Sequence, residues 1–395
     1  MSVFETAKKI VGGDVAHNAA DAGSPVKIGG YASSTAPAAA GEGDRVNAWF
    51  DLQGRLQVAN AGPSELFPGT LTPLHQRLSS GQQLNAAMAW AGPTSGGIRL
   101  VDVIFSTDTA CSLQLHQSTM ATYETAVTAD GAVHFWRLDE VSGNAIDQIG
   151  SLNLTTEGSP TYSSASQVCA DGAAVGFDGT NDAFAVANKP ASAATGGVEA
   201  WVYMSTVNGE CVLSICDTDT SSHDLQFKIA DGVPQFQLKV SGTALMVAVS
   251  NYVMQAGQWY HVFWQHDGTG LEIYVNGRLT TLTYTSGSSA TTSWYDDLYA
   301  FADTTALGVL RRSTNALWFA GRIQNVAWYS AALSADIIRA HFELGAPLFG
   351  PHYFAASAGV AHPLRTPLTL VDGAAVYAKT SAAGNSTLDL HGYEG

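Results

Sequence analysis

The sequence predicts an all-β protein: a β-sandwich inserted in a smaller, split β-sandwich, preceded by an extended N-terminal arm. Three observations predict it. Between Ala132 and Phe342 the chain breaks into short alternating or apolar runs rich in Val, Ile, Trp, Tyr and Phe, divided by Gly, Asn, Asp and Ser. That is the pattern of antiparallel strands joined by tight turns. Hairpin signals fall inside it: DGTG separates WYHVFWQH from LEIYV, and NGR follows LEIYV. Strand-like runs also flank this block on both sides, too few on either side for a sandwich of their own.

Taken in order, residues 1–80 are expected to be an extended arm, because DAGSPVKIGGYASSTAPAAAGEGDRV is rich in Ala, Gly, Ser and Pro and poor in core-forming residues. Such a segment becomes ordered against a partner or serves as a linker. Its one structured piece is NAWFDLQGRLQVA, two strand-like pieces around Gly54 that predict a hairpin. Residues 81–127 form the first part of the small β-domain, carrying GGIRLVDVIFST and CSLQLHQS. Residues 128–346 are the larger sandwich. Residues 347–395 return to the small β-domain with TPLTLVDGAAVYAKTS and STLDLHGYE. Inserting one domain into a loop of the other joins the flanks, since domain termini often lie close together. The larger sandwich ends in a helix: Ser334 is a plausible N-cap, and Ile337, Ile338, Ala340, His341 and Phe342 follow at helical spacing. Gly345 and Pro347 stop it.

Composition narrows the function classes. The chain has 395 residues, 18 Lys plus Arg against 34 Asp plus Glu, and a formal net charge of -16. No basic cluster exists, which excludes nucleic acid as the expected partner. The N-terminus lacks the apolar core of a signal peptide, and no stretch approaches the roughly 20 apolar residues of a membrane span. A soluble protein made in a cytoplasm is expected. Cys211 and Cys216 could face each other across a hairpin, but without an export signal free thiols are the expectation for all four cysteines.

Six blocks in order carry a resemblance: FWRLDE (135–140), FDGTND (177–182), EAWV (199–202), WYHV (259–262), IYVNG (273–277) and GRIQNVAWYSAALS (321–334). Together they resemble the concanavalin A-like, laminin G-type (LamG-like) jelly roll, across about half the chain. In the arm, Val26 to Gly30, Ala32 and Asp44 to Arg55 resemble a stretch of tailed-phage virion proteins. The resemblance implies a virion structural protein, a capsid decoration or a tail or fibre component assembled in the host cytoplasm. Its arm and split domain would contact other virion proteins, and a homo-oligomer is expected. The alternative from another class is a carbohydrate-binding or glycan-hydrolysing protein acting on host surface polysaccharide.

Residues able to carry chemistry are few. Glycoside hydrolysis needs two carboxyls held at a defined separation, yet Glu199 and Glu272 are isolated on separate strands. Glu199 is expected to be structural, and the protein is expected not to be an enzyme. GxSxG and HExxH are both absent. His261 is expected to pack in a strand, and His116, His352, His362 and His391 to lie at the surface. Asp178, Asn181 and Asp182 are hard oxygen donors in a Gly-containing turn and suit calcium. An Asx-type turn, in which these side chains bind local backbone N–H groups, is the alternative. The resemblance implies a calcium near the sandwich rim, but Gln324 and Asn325 stand where the family carries acids. Aromatics remain. Trp201 and Tyr203 share one strand face with Glu199. Trp294, Tyr295 and Tyr299 lie with Asp296 and Asp297 in a stretch expected to be a loop, where recognition residues concentrate. These seven are the candidate ligand-binding residues, with sandwich filling as the competing role for each aromatic.

Overall fold

The computed structural model describes residues 47–50, 56–59, 72–80, 84, 87–91, 98–354, 358–370, 375–382 and 386–394. Most of the arm, including the Val26–Gly30 motif and Ala32, lies outside them. The expected hairpin is present: Asn47–Phe50 pairs antiparallel with Leu56–Ala59.

Two eight-stranded sheets build the jelly roll. The first orders Arg278–Leu279, Leu271–Val275, Trp259–His266, Gly196–Met204, Ala320–Tyr329, Ala173–Asp178 and Thr161–Ala165, with Ala132–Trp136 also pairing with Ala320–Tyr329. The second orders Leu282–Ser286, Thr243–Ser250, Val233–Val240, Asp224–Ala230, Glu210–Cys216, Thr304–Leu307, Ala183–Val186 and Thr155–Glu157. Both hairpins read from the turns are there, His266 opposite Leu271 and Val275 opposite Arg278.

Alternation decides what each strand buries. On Gly196–Met204, Val198, Ala200, Val202 and Met204 enter the core between the sheets, against Phe227, Trp264 and Trp328. The opposite face of this first sheet is largely closed as well. Helix α1 (Met120–Ala129) lays Met120, Tyr123 and Val127 over it, with a later helix contributing Ile338, in a second core with Trp201, Phe263, Tyr274 and Tyr329. Helix α2 (Tyr295–Tyr299) is short. Helix α3 (Ala335–Gly345), which carries Ile338, starts on its predicted cap, where Ser334 Oγ accepts the Ile337 N–H at 3.4 Å.

The flanks meet in two four-stranded sheets. Cys111–His116 lies between Phe349–Phe354 and Ala375–Thr380, with Ala87–Ala91 outermost. Ile98–Thr107 lies between Ala358–Leu370 and Ser386–Glu394, with Thr72–Ser80 at the edge. Leu113 and Leu115 share one core with Leu388 and Leu390. The inserted-sandwich architecture is therefore formed by strands from both ends. Two segments fall differently from the boundaries drawn on composition. Residues 72–80, assigned to the arm, are a strand of the small sandwich, and α1, which spans the 127/128 division, packs on the jelly roll. Among the described residues, no helix is long and apolar enough to cross a membrane.

Candidate functional site

The first sheet's outer face runs out of helical cover at Tyr203. Glu199, Trp201 and Tyr203 stand in a row by strand alternation. Trp201 is only 2% exposed, stacked on Phe342 of α3 at 5.9 Å and donating its indole N–H to Tyr123 of α1 at 3.0 Å. Two residues further along, Tyr203 is half-exposed and borders a cleft of about 550 Å³. The strand register places Trp259 opposite Tyr203 on one side and Arg322 opposite it on the other. All three border the cleft. The rings of Tyr203 and Trp259 are 5.8 Å apart, and the Arg322 guanidinium lies 4.7 Å from the Tyr203 ring centre. With strands about 4.8 Å apart, this row is roughly 10 Å long. Next in the row comes Gly176, opposite Arg322, where a Cβ would crowd Ser164 and Thr161.

The remaining walls are polar. Ser163, Ser164, Gln167 and Asp171 come from the jelly roll, and Ser112, Gln114 and Ser381 from the small sandwich. Lys379 fastens the two walls together, its ammonium donating to the carbonyls of Ser166 (3.3 Å) and Gly172 (2.9 Å). The arrangement offers aromatic surface beside several hydroxyl and amide groups. That combination suits a hydroxylated ligand, whose apolar faces pack on rings while its rim hydrogen-bonds.

Only Tyr203 of the seven aromatic and acidic candidates belongs to this cleft. Trp201 is sealed under the helices. Trp294 and Tyr295 are fully buried, Trp294 stacked on Phe236 at 5.3 Å and Tyr295 donating its hydroxyl to the Pro190 carbonyl at 2.7 Å. Tyr299 is half-buried beside them under the Lys189 ammonium, 4.4 Å from its ring centre. The expected recognition loop is thus helix α2 plugging the core, with Asp296 and Asp297 left outside it. Trp259 and Arg322, absent from the candidate set, complete the cleft. Their signal was register, which the WYHV and GRIQNV blocks carry only once their strands are aligned beside GGVEAWVYM.

The FDGTND turn does not fit calcium. Asp178 Oδ1 accepts the N–H groups of Thr180 (2.7 Å) and Asn181 (3.1 Å). Asp182 is 4% exposed, and its two oxygens accept from Ser159 (2.7 Å) and Asp178 (3.1 Å). Three of the four carboxylate oxygens are thereby committed to backbone, whereas calcium asks for six to eight oxygens. The Asx-type alternative is what forms. Among the described residues Asp217, Asp219 and Asp303 do bring carboxylate oxygens within 4.8 Å of one another. Two of the three are exposed, and Asp303 already holds Thr218 through both its N–H and hydroxyl.

Glu199 is fully buried and ionically engaged. Its Oε2 lies 2.9 Å from His341 Nδ1 and 3.4 Å from His261 Nε2, and the other His341 nitrogen is 2.9 Å from Asp130. Burial alone would raise the Glu199 pKa, but the two histidines outweigh it and hold the carboxyl down to about 2. Burial likewise opposes a charged His341, yet Glu199 and Asp130 raise it to about 9. His261 packs in its strand as expected, whereas His116, placed at the surface by the sequence, is fully buried against Gln114. The four cysteines are free and buried, and Cys211 and Cys216 sit on one strand rather than across a hairpin.

Residues 178–339, within the jelly roll, match the family model of the concanavalin A-like lectin/glucanases superfamily. No curated protein matches the chain in sequence. Among solved structures, the chain is similar to the CBM40 module of the Ruminococcus gnavus IT-sialidase bound to α2,3-sialyllactose: 19% identity, 37% of this chain, 80% of that one, TM-score 0.33. It is also similar to domain 4 of AbnA, an extracellular arabinanase of Geobacillus stearothermophilus, in complex with arabinotriose: 16% identity, 53% and 98% coverage, TM-score 0.40. The botulinum neurotoxin serotype D binding domain is a third, with 14% identity, 54% and 52% coverage and TM-score 0.39.

Proposed function

We propose that the protein is a non-catalytic glycan-recognition protein whose saccharide site is the Tyr203–Trp259–Arg322 cleft. The observation that carries this reading is the cross-strand row itself, an aromatic pair and a guanidinium in a polar cleft. Aromatic side chains that protrude from rigid strands give contact area at low entropic cost. The absence of catalysis is supported by where the acids are. Glu199 is enclosed under two helices and tied to histidines, and Asp171 is the one carboxylate among the described residues bordering the cleft. Hydrolysis needs a second carboxyl across the bound sugar.

The carrier we propose is a tailed-phage particle, on the wording of Val26 to Gly30 and Asp44 to Arg55. The jelly roll would then project from an assembly gripped elsewhere on the chain. Electron microscopy of intact particles, with the protein located or missing, decides this part by itself.

The site reading is tested on an oligosaccharide array with the full chain, Trp259→Ala and Tyr203→Ala. Saturable binding by the parent chain, weakened at least ~10-fold in both variants while their melting curves stay cooperative, supports it; about 1–3 kcal/mol per lost aromatic contact is the expected scale. Binding indifferent to both substitutions, or no binding at all, rejects it.

A further inference from the structure

We infer that the cleft selects a carboxylated sugar, the uronate or sialate type of residue found in acidic polysaccharides. The inference rests on the reading of the cleft as a saccharide site and goes beyond it in naming the chemical class. Its basis is a pair of cations, neither of them in a salt bridge among the described residues, in a strongly acidic chain.

Arg137, Arg311, Arg312 and Arg339 each pair with a carboxylate. Arg322 is half-buried and pairs with none among the described residues. One of its nitrogens, Nη1, donates to the Ala165 carbonyl at 3.1 Å, and the Tyr203 ring supports the plane. The guanidinium is thereby oriented with donors left over, and a planar fork of donors matches a carboxylate bidentately. Lys379 is the second such cation. Its two hydrogen bonds go to neutral carbonyls, and an ammonium has three donors. The wall's own acid, Asp171, accepts the Met120 N–H at 2.6 Å, which ties it to the start of α1. With two cations against one acid, the cleft is locally positive on a chain of formal net charge -16. A short acidic saccharide therefore gains at the cleft, whereas the remaining surface repels it.

The test titrates the full chain with three oligosaccharides of equal length: oligogalacturonate, its neutral galactose counterpart, and a sulfated galactose counterpart. Calorimetry gives the affinities at low and high salt, and Arg322→Gln and Arg322→Lys are run beside the parent chain. The expected result is oligogalacturonate binding at least ~10-fold tighter than the neutral oligomer and weakening with salt. Arg322→Gln should erase that preference, and Arg322→Lys, which keeps the charge but loses the fork, should restore only part of it. Tighter binding of the sulfated oligomer than of the uronate overturns the carboxylate assignment. Equal binding of neutral and acidic oligomers, lost in Trp259→Ala but unaffected by Arg322→Gln, overturns the acidic class and leaves the saccharide site standing. No binding of any oligomer, or binding untouched by Trp259→Ala, overturns both. Melting curves of each variant show whether a loss reflects unfolding.

Discussion

At the scale of single residues, His341 is the most consequential side chain outside the cleft. Both ring nitrogens face carboxylates, so the imidazole is held as a cation between Glu199 and Asp130. Its pKa is raised from 6.5 to about 9, so its stabilisation is complete below pH 6.5 and is lost as pH rises through about 9. Glu199 moves the other way, from 4.5 to about 2, so its stabilisation is complete above pH 4.5 and is lost as pH falls through about 2. Both contributions are whole only between pH 4.5 and 6.5, and the melting temperature should be highest there and decline as pH rises from 6.5 towards about 9. His341→Leu leaves a fully buried carboxylate without its charged partner and should cost about 3–5 kcal/mol in urea denaturation. A variant as stable as the parent, with an unchanged pH profile, would show that the pair is not ionic. Asp182 makes a second residue-level case. Removing its two backbone contacts in Asp182→Ala should cost about 1–3 kcal/mol, and neither calcium nor chelator should shift the melt of the parent or of this variant. A calcium-dependent rise that Asp182→Ala abolishes would restore a metal to the turn.

Whole elements were read from sequence where one local rule governed them. DGTG and NGR each demanded a tight turn, and Ser334 with the Ile337–Ile338 spacing demanded a capped helix, so those appear where expected. Elements governed by tertiary packing were not legible. MATYETAVTA is Thr- and Ala-rich, and its Met120, Tyr123 and Val127 make a stripe only once α1 has a sheet to lie on. WYDDLY carries two acids that suggested a loop. Trp294 and Tyr295 nevertheless bury completely, because the core between the sheets offers Phe236 and Trp328 as ring partners. The cleft was legible only at Tyr203, since its other members are placed by strand register. Helix α3 also shows how tightly an element is seated. A Cβ on Gly345 would meet the Trp201 ring at 2.4 Å. Gly345→Ala should therefore cost about 1–3 kcal/mol by overpacking, whereas Ser334→Ala should cost about 1 kcal/mol by removing a cap. Thermal or urea melts of the two variants check the order; a larger loss at Ser334 than at Gly345 would contradict the packing argument.

For the molecule as a whole, the flanking strands and the jelly roll pose separate folding problems with a shared seam. The small sandwich needs both ends of the chain, because Leu113 and Leu115 share their core with Leu388 and Leu390. The jelly roll needs α1, because Tyr123 and Val127 cover the face that Trp201 and Phe263 present. An excised fragment of residues 118–348 should accordingly melt cooperatively and well above a fragment of residues 128–346, which lacks most of α1. Equal stability of the two fragments would mean that α1 is an ornament of the flank rather than part of the jelly roll. The seam between the two sandwiches is where Lys379 is fastened and where the cleft opens, so fragments lacking the small sandwich should lose saccharide affinity even when folded. A structure of the full chain with a bound oligosaccharide from the array tests the saccharide site most directly. The Tyr203–Trp259–Arg322 site predicts a sugar ring against Trp259 and Tyr203 with its polar groups facing Arg322. A sugar seated instead at the Asp217–Asp219–Asp303 rim, or anywhere that leaves the Tyr203 cleft empty, would contradict it.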